Sequence, residues 1–240
     1  MKAYVHSYES LAGVDGDGLR YAIFLSGCPL RCVFCHNPDT WKPKCGAEIS
    51  SEDLVKKVTR YRAYFKNGGG ITFSGGEPLL QAEFISECAP LLRDAGISYV
   101  IDTSGAVALT DSVKNALLGA ESVLLDIKFP NDEEYIHNTG ADFSKTKAIF
   151  EYLNEIEKPI VLRTVVIPGI NDTEEKMQEY ASIAKGAKIL KKYELLPFHT
   201  MGFFKYENLR EENKLKNTPA MDRTRCDELQ NYLNKLIGLS

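Results

Sequence analysis

Six short apolar runs alternate along the chain with longer segments of helical periodicity. The runs are predicted strands, at residues 21–25, 70–73, 99–101, 122–125, 160–167 and 188–196. Strand–helix–strand repeats build a parallel sheet with right-handed crossovers. Every strand is followed by residues able to do chemistry, which favours a barrel over an open sheet. Six repeats are too few for a closed (β/α)8 barrel, so we expect an α/β fold that is a partial, laterally open (β/α)6 TIM-like barrel.

The helices are predicted from the spacing of apolar side chains. They begin near residue 50, cover 81–94, begin again at 110, and cover 144–157, 173–185 and 222–236. Asp172 is predicted to cap the helix at 173–185, with Glu175 three residues further on. Cys88 lies on the apolar face of its helix and is therefore predicted to be a core residue. Cys226 lies within the last helix.

The loop after the first predicted strand, residues 26–37, carries three cysteines at the spacing C-x3-C-x2-C. Cys28, Cys32 and Cys35 can therefore point three thiols into one small volume. An iron–sulfur cube has four irons and usually takes four thiolates, but no fourth cysteine lies at a natural spacing. The loop predicts a [4Fe–4S] cluster with one iron not ligated by cysteine. A vacancy of this kind suits catalysis better than electron storage.

Two other uses of these cysteines remain open. A structural zinc site could take the three cysteines together with His36, since tetrahedral Cys3His sites are common. Adjacent Cys and His side chains rarely both reach one metal ion, which counts against it. Six cysteines in a cytosol-like chain of 240 residues give little support to a disulfide framework. Cys45 has no assigned role and is predicted to be a surface thiol.

Residues with binding chemistry follow the remaining predicted strands. They are Ser74-Gly75-Gly76-Glu77-Pro78, Asp102, Asp126 with Lys128, Arg163 with an apolar lip at 165–169, and His199. Two consecutive glycines let a backbone approach a ligand closely. Asp126 and Lys128 are two residues apart on an extended segment and share a face, where they could bind ribose hydroxyls and a ligand carboxylate. Taken singly, these features also fit a tight turn, a surface ion pair and a structural histidine.

These motifs resemble those of a known family. The radical S-adenosylmethionine (SAM) enzymes share the cysteine spacing, with an aromatic residue, here Phe34, before the third cysteine. Further motifs follow in order between about residues 5 and 205: G-V-D-G-D-G, S-G-G-E-P-L-L-Q, D-T-S-G, D-I-K, V-V-I-P-G and L-L-P-F-H-T-M-G. Together they resemble the branch that activates glycyl-radical enzymes. The cysteine-rich insert typical of activases for other substrates is missing after the cluster loop, which favours pyruvate formate-lyase as the partner.

The resemblance implies cofactors and the residues that hold them. Cys28, Cys32 and Cys35 would bind the cluster, whose open iron would chelate the methionine amino and carboxylate groups of SAM. The residues implied to bind SAM are Phe34, His36, Gly75, Gly76, Glu77, Asp102, Asp126, Lys128, Arg163 and His199. Asp102 and Asp126 are also implied to hold a monovalent cation beside SAM. Asp15 matches the loop that meets the partner's glycine segment, and it is implied to take part in catalysis.

The implied reaction is the activation of another protein. A flavodoxin or ferredoxin would reduce the cluster, and SAM would be cleaved to methionine and a 5′-deoxyadenosyl radical. That radical would take a hydrogen from a glycine Cα of pyruvate formate-lyase and leave a glycyl radical. An open barrel side suits a substrate that is a loop of another protein. The alternatives are an activase of another glycyl-radical enzyme, a radical SAM enzyme acting on a small molecule or tRNA, and a zinc-bound interaction module.

The composition limits the other classes of function. The net charge is −4 with both signs interspersed, so no basic cluster marks a nucleic-acid surface. The first ten residues lack the apolar core of a signal peptide, and no run reaches the roughly 18 apolar residues of a membrane span. We expect residues 1–240 to form a single domain that ends in a helix at about 222–237. We also expect a monomeric, cytoplasmic protein without a nucleic-acid or membrane partner.

Overall fold

The fold is built on one sheet. The structure, a computed structural model, describes residues 1–13, 16–66 and 68–239. Within these residues the strands are β1 Lys2–Ala12, β2 Arg20–Leu25, β3 Ala47–Ser50, β4 Gly70–Gly75, β5 Tyr99–Thr103, β6 Ser122–Asp126, β7 Ile160–Val166 and β8 Leu190–Pro197. They lie in the order β3-β1-β2-β4-β5-β6-β7-β8. Because β3 and β8 are at opposite edges, the sheet stays open, and the prediction of a partial, open barrel is confirmed.

The six predicted strands are β2 and β4 to β8, and they form the parallel part of the sheet. The antiparallel strands β1 and β3 were not predicted. In β1 the buried side chains Ala3 and Val5 alternate with partly exposed or exposed ones, as expected for an antiparallel strand with one covered face. Such a strand contains too few large apolar residues to stand out in a polar stretch.

The described residues form eight α-helices. They are α1 Ser51–Thr59, α2 Ala82–Asp94, α3 Asp111–Gly119, α4 Asp132–Thr139, α5 Ser144–Glu155, α6 Glu174–Ala184, α7 Phe203–Leu209 and α8 Arg223–Ile237. The six predicted helices are present, whereas α4 and α7 were not predicted. None of the helices described is long and apolar enough to cross a membrane.

Side-chain caps fix where the helices begin. The side chains of Ser50, Thr110 and Asp222 accept hydrogen bonds from backbone N–H groups in the first turns of α1, α3 and α8. The predicted cap of α6 was wrong. Its cap is Thr173, whose hydroxyl accepts from the N–H of Lys176, because the helix begins at Glu174. Asp172 lies one residue too early and instead accepts from the N–H of Gly169 at 2.9 Å.

The core lies between the outer face of the sheet and the helices. Phe73, Ile101 and Leu125 point outward from neighbouring strands and are fully buried in this core. Cys88 of α2 belongs to it with no exposed surface, as predicted. On the inner face, Val100, Leu124 and Val161 form a separate small cluster near the starts of the strands. The interior is therefore filled by apolar side chains at one end, and polar side chains collect at the other.

Candidate active site

A cavity of about 310 Å³ lies at the carboxyl ends of the parallel strands. Each of the six parallel strands contributes an inward side chain to its wall: Phe24, Ser74, Asp102, Asp126, Arg163 and Leu196. The sheet register places neighbours together, since Phe24 pairs with Ser74 and Asp126 with Arg163. The cysteine loop forms the opposite wall through Cys28, Cys32 and Cys35. Most of the predicted site residues, from distant parts of the chain, therefore meet in one cavity, whereas Glu77 and His199 do not border it.

The cysteine loop is held mainly through its backbone. The N–H of Cys28 donates to the carbonyl of Trp41 at 3.2 Å. The carbonyls of Asn138 and Thr139, at the end of α4, accept from the N–H groups of Val33 and Arg31 at 2.9 and 2.7 Å. In α7, the hydroxyl of Tyr206 donates to the carbonyl of Cys35 at 2.8 Å. The two helices that sequence reasoning missed are thus the supports of this loop.

Burial governs the chemistry of the three thiols. It raises the pKa of Cys28 to about 12, with the Glu77 carboxylate adding to the rise, and it also raises the pKa values of Cys32 and Cys35. These groups are thiols at neutral pH unless a metal displaces their protons. Among the described residues, no three His, Cys, Asp or Glu side chains group closely enough to surround a single metal ion.

The turn after β4 packs directly against the start of the cysteine loop. The N–H of Gly76 donates to the carbonyl of Leu25 at 3.0 Å, and the N–H of Glu77 donates to that of Gly27 at 2.8 Å. A Cβ on Gly76 would lie 2.3 Å from the Gly27 carbonyl oxygen, and one on Gly75, where φ is +122°, would lie 2.2 Å from that of Leu25. Only glycine fits at either position.

Glu77 lies behind the cavity wall rather than in it. Its side chain is fully buried, and it does not border the cavity. The carboxylate accepts from the N–H of Leu79, the hydroxyl of Thr103, and both the N–H and hydroxyl of Ser104, at 2.6–3.0 Å. Burial raises the pKa of Glu77, and these donors oppose that rise. The side chain ties the end of β4 to the end of β5.

Charged side chains from three strand ends form a paired network on the cavity wall. The guanidinium of Arg163 donates to Asp102, and through Nε to Asp126 at 3.3 Å. Lys128 Nζ lies 2.6 Å from Asp126 Oδ2, and Ser74 donates to Asp102 at 2.8 Å. Burial lowers the pKa of Lys128, but the Asp126 carboxylate outweighs it and the pKa is raised. Two carboxylates and two cations thus balance in a largely buried wall.

The remaining predicted residues lie around this network. Phe34 is buried under Lys128, whose Nζ is 5.7 Å from the ring centroid. His36 borders the cavity and stacks on His199, which is outside the cavity wall. The Nδ1 atom of His199 is buried without a hydrogen-bond partner among the described residues. Of the predicted apolar lip, Val165 borders the cavity.

The remaining predictions concern Asp15, Cys45 and Cys226. Asp15 lies outside the described residues. Cys45 is half-buried rather than fully at the surface, and its thiol donates weakly to the carbonyl of Asp39 at 3.4 Å. Cys226 is buried in α8 and does not reach the cavity.

Several residues that border the cavity were not predicted to do so. They are Phe24, Leu30, Asn37, Thr40, Trp41, Ser104 and Leu196. Asn37, Thr40 and Trp41 directly follow the cysteines, so their place in the same short segment was the available signal. Phe24, Ser104 and Leu196 could have been found by extending the inward-facing alternation along each strand to its end.

Comparison with known proteins identifies the class. Residues 22–181 match the model of the radical SAM superfamily. The chain belongs to this superfamily. Its fold is also that of Streptococcus suis SuiB bound to precursor peptide SuiA, with a TM-score of 0.66 at 16% identity over 89% of this chain and 46% of that one. A radical SAM methyltransferase from Sphaerobacter thermophilus gives a TM-score of 0.66 at 18% identity over 92% of this chain and 64% of that one.

Curated relatives narrow the class further. The pyruvate formate-lyase-activating enzyme of Clostridium pasteurianum is 40% identical over 234 residues, which cover 97% of this chain and 98% of the relative. That of Staphylococcus epidermidis is 34% identical and covers 98% of this chain and 96% of the relative. The chain belongs to the family of pyruvate formate-lyase-activating enzymes, so it is a radical SAM enzyme.

Proposed function

We propose that this chain generates the glycyl radical of pyruvate formate-lyase by reductive cleavage of SAM at a [4Fe–4S] cluster. One observation carries the proposal: three cysteines of one loop border the same cavity as the charged side chains from the ends of β5, β6 and β7. A ligand in that cavity would touch the cysteine loop and the charged wall together. The names of the relatives support pyruvate formate-lyase as the target.

The donor set fits a cluster. An iron–sulfur cube takes one thiolate per iron, so its cysteines bind different corners of the cube and need not lie close enough to surround one ion. Cys28, Cys32 and Cys35 would hold three irons, and their buried thiols would lose their protons to the metal. When bound, a cluster with one iron free of cysteine would supply the electron that splits SAM into methionine and a 5′-deoxyadenosyl radical, and that radical would take a hydrogen atom from the glycine Cα.

The charged wall suits the polar parts of SAM. Lys128, 16% exposed at the cavity, is a donor for a ligand carboxylate. Asp102 and Asp126 offer acceptor oxygens for ribose hydroxyls, and Arg163 fixes both carboxylates in place. Gly76 allows a ligand to approach the backbone, and Phe34 and Val165 provide apolar surface for an adenine ring.

Other parts of the site would act by position. Glu77 would bind no ligand itself but would fix the turn at Gly76 against Thr103 and Ser104. His36 would hold His199 by stacking, so that the unpartnered Nδ1 of His199 could meet SAM. A monovalent cation at Asp102 and Asp126 would share these carboxylates with Arg163 and remains part of the proposal.

The partners follow from the same proposal. A glycine-bearing loop of pyruvate formate-lyase would enter through the open side of the sheet, and Asp15 would contact it. A flavodoxin or ferredoxin would deliver the electron. We further propose that the enzyme acts as a monomer in the cytoplasm.

An anaerobic activation assay tests the function. Protein reconstituted with iron and sulfide is mixed with SAM, a low-potential reductant and pyruvate formate-lyase, and the glycyl radical is counted by EPR. We expect one radical signal that depends on all components and disappears with Cys32→Ala. If the cluster-loaded protein activates a different glycyl-radical enzyme and not pyruvate formate-lyase, the proposed partner is wrong. If anaerobically purified protein contains zinc and no iron, the cluster assignment is wrong, and the chain is better described as a zinc-bound interaction module.

A further inference from the structure

Three buried side-chain nitrogen or oxygen atoms lack a hydrogen-bond partner among the described residues: Trp41 Nε1, Glu134 Oε2 and His199 Nδ1. Buried donors are nearly always paired, so an unpaired one marks a place where an acceptor is missing. His199 already has a role in the proposed SAM site. Trp41 has none, although its indole borders the cavity next to the cysteine loop.

The indole of Trp41 is fixed in place. The carbonyl of Trp41 accepts from the N–H of Cys28 at 3.2 Å, so its backbone is tied to the cysteine loop by a hydrogen bond. The Tyr206 ring meets the indole edge-on, with centroids 5.9 Å apart and planes at 85°. The Arg31 guanidinium carbon lies 4.8 Å from the indole centroid. A ring in contact with neighbours on several sides keeps its N–H pointing in one direction.

Cys35 is the cluster cysteine linked to this indole by the packing. The ring of Tyr206 contacts Trp41, its hydroxyl donates to the Cys35 carbonyl at 2.8 Å, and Trp41 and Cys35 border the same cavity. Burial raises the pKa of this thiol, while the backbone N–H of Asn37 and the side chain of Trp41 both favour its thiolate. The indole N–H and the sulfur do not meet as a full hydrogen bond with the thiol, since Nε1 has no partner. A neutral thiol is a weak acceptor, whereas a metal-bound thiolate carries charge and accepts strongly. The missing acceptor is therefore one that metal binding would create.

We propose that the indole N–H of Trp41 donates a hydrogen bond to the Cys35 thiolate when the cluster is bound, and that this bond makes the cluster easier to reduce. The inference rests on the proposed function. Reduction adds negative charge to a cluster and its sulfurs, and a hydrogen bond to sulfur stabilises the more negative state. Trp41 is in this sense a positioning residue, because it acts through a cluster ligand and not on SAM.

The chain contains a single tryptophan, so replacing tryptophan by an analogue throughout the protein changes Trp41 alone. Incorporation of β-(3-benzothienyl)alanine replaces the indole N–H by sulfur and keeps the ring shape. We expect normal iron content and a more negative midpoint potential. The equilibrium should shift about tenfold toward the oxidised cluster, which is about 59 mV for a one-electron couple. Incorporation of 5-fluorotryptophan keeps the N–H and should restore the potential. Trp41→Phe, which loses both N–H and ring size, should resemble the benzothienyl protein.

A spectroscopic signature separates this bond from a packing effect. With tryptophan labelled by 15N at the indole, the reduced cluster should show hyperfine coupling to one nitrogen and to one exchangeable proton. Both couplings should vanish in the benzothienyl protein. A bound cluster with no indole coupling and an unchanged potential would overturn the inference and leave the proposed function standing. A wild-type protein that takes up no iron would overturn the proposed function, and this inference with it.

Discussion

The imidazole rings of His36 and His199 stack with centroids 3.8 Å apart and planes 9° from parallel. His36 Nε2 also donates to the carbonyl of His199 at 3.0 Å. Burial, followed by the nearby His199, lowers the pKa of His36 to about 4, so the stacked ring is neutral near pH 7. One histidine follows the first parallel strand and the other follows the last. The contact therefore joins the two ends of the parallel part of the sheet, β2 and β8, which do not pair with each other.

The cysteine assignment predicts a clear division among single variants. Cys28→Ala, Cys32→Ala and Cys35→Ala should each lose the broad iron–sulfur absorption and SAM cleavage, because three thiolates are the fewest that hold a site-open cube. Cys45→Ala, Cys88→Ala and Cys226→Ala should keep both. The two buried cysteines of this second group should lose about 0.5–3 kcal/mol of stability. Normal iron content in any of the first three variants would contradict the assignment.

Lys128 should contribute to SAM binding without affecting the cluster. Loss of a hydrogen bond to a charged group costs about 1.5–3 kcal/mol, which is roughly 10- to 150-fold in affinity. We expect Lys128→Met to weaken SAM binding by this factor, measured by titrating the EPR signal of the reduced cluster. Lys176→Met is the matched control, since Lys176 pairs with Glu134, has a similar exposure of 18% and does not border the cavity. Equal SAM affinity in both variants would make Lys128 a structural residue.

The unpartnered Nδ1 of His199 gives a separate prediction. His199→Phe keeps an aromatic ring against His36 but removes Nδ1. We expect weaker SAM binding, again roughly 10-fold or more, with normal iron content and little change in melting temperature. The same titration measures it. If His199→Phe binds SAM as the wild type does, the ring serves the contact with His36 alone.

Glu77 should act on stability more than on SAM. Glu77→Gln turns an NH2 group toward donors that now meet a carboxylate, and each buried donor left unpaired costs about 1–3 kcal/mol. Urea unfolding followed by circular dichroism should show at least this loss. Thr103→Val removes one of the donors, so the double variant should lose less than the sum of the two single losses. A stable Glu77→Gln protein with weak SAM binding would instead place Glu77 on the ligand.

Asp15 is expected to contact the partner's glycine loop. Asp15→Asn should keep cluster content and SAM affinity but slow glycyl-radical formation, followed over time by EPR. Asp17→Asn is a close control in the same segment, because Asp17 pairs with Lys191 at the surface. That pair should contribute less than about 1 kcal/mol, and its loss should leave the rate unchanged. If the Asp15→Asn variant forms the glycyl radical at the wild-type rate, Asp15 has no role in docking the partner's loop.

The parallel part of the fold was predictable because buried parallel strands are short, continuous apolar runs between clear helices. β1 was missed because only one of its faces is buried, and its inward side chains include one as small as Ala3. Helices α4 and α7 have 8 and 7 residues. That is about two turns, too short for a 3.6-residue period to stand out from chance.

The site was predictable at the level of which segments meet, since parallel strands end at one edge. The direction in which each side chain points was not predictable from the sequence. Glu77 sits in a motif predicted to bind SAM, yet its carboxylate turns toward Thr103 and Ser104. Arg163 reaches both Asp102 and Asp126, and this depends on which strands are neighbours in the sheet. Neither fact can be obtained from spacing along the chain.

The supports of the cysteine loop have a consequence for how the enzyme matures. Residues 28–35 depend on the backbone carbonyls of Asn138 and Thr139 and on the hydroxyl of Tyr206, which the ribosome makes more than one hundred residues later. A nascent chain that ends before α7 has the three thiols but lacks the scaffold that shapes their loop. Under the proposed function, iron and sulfide would therefore be delivered to a nearly finished polypeptide, so that cofactor loading would follow folding instead of directing it.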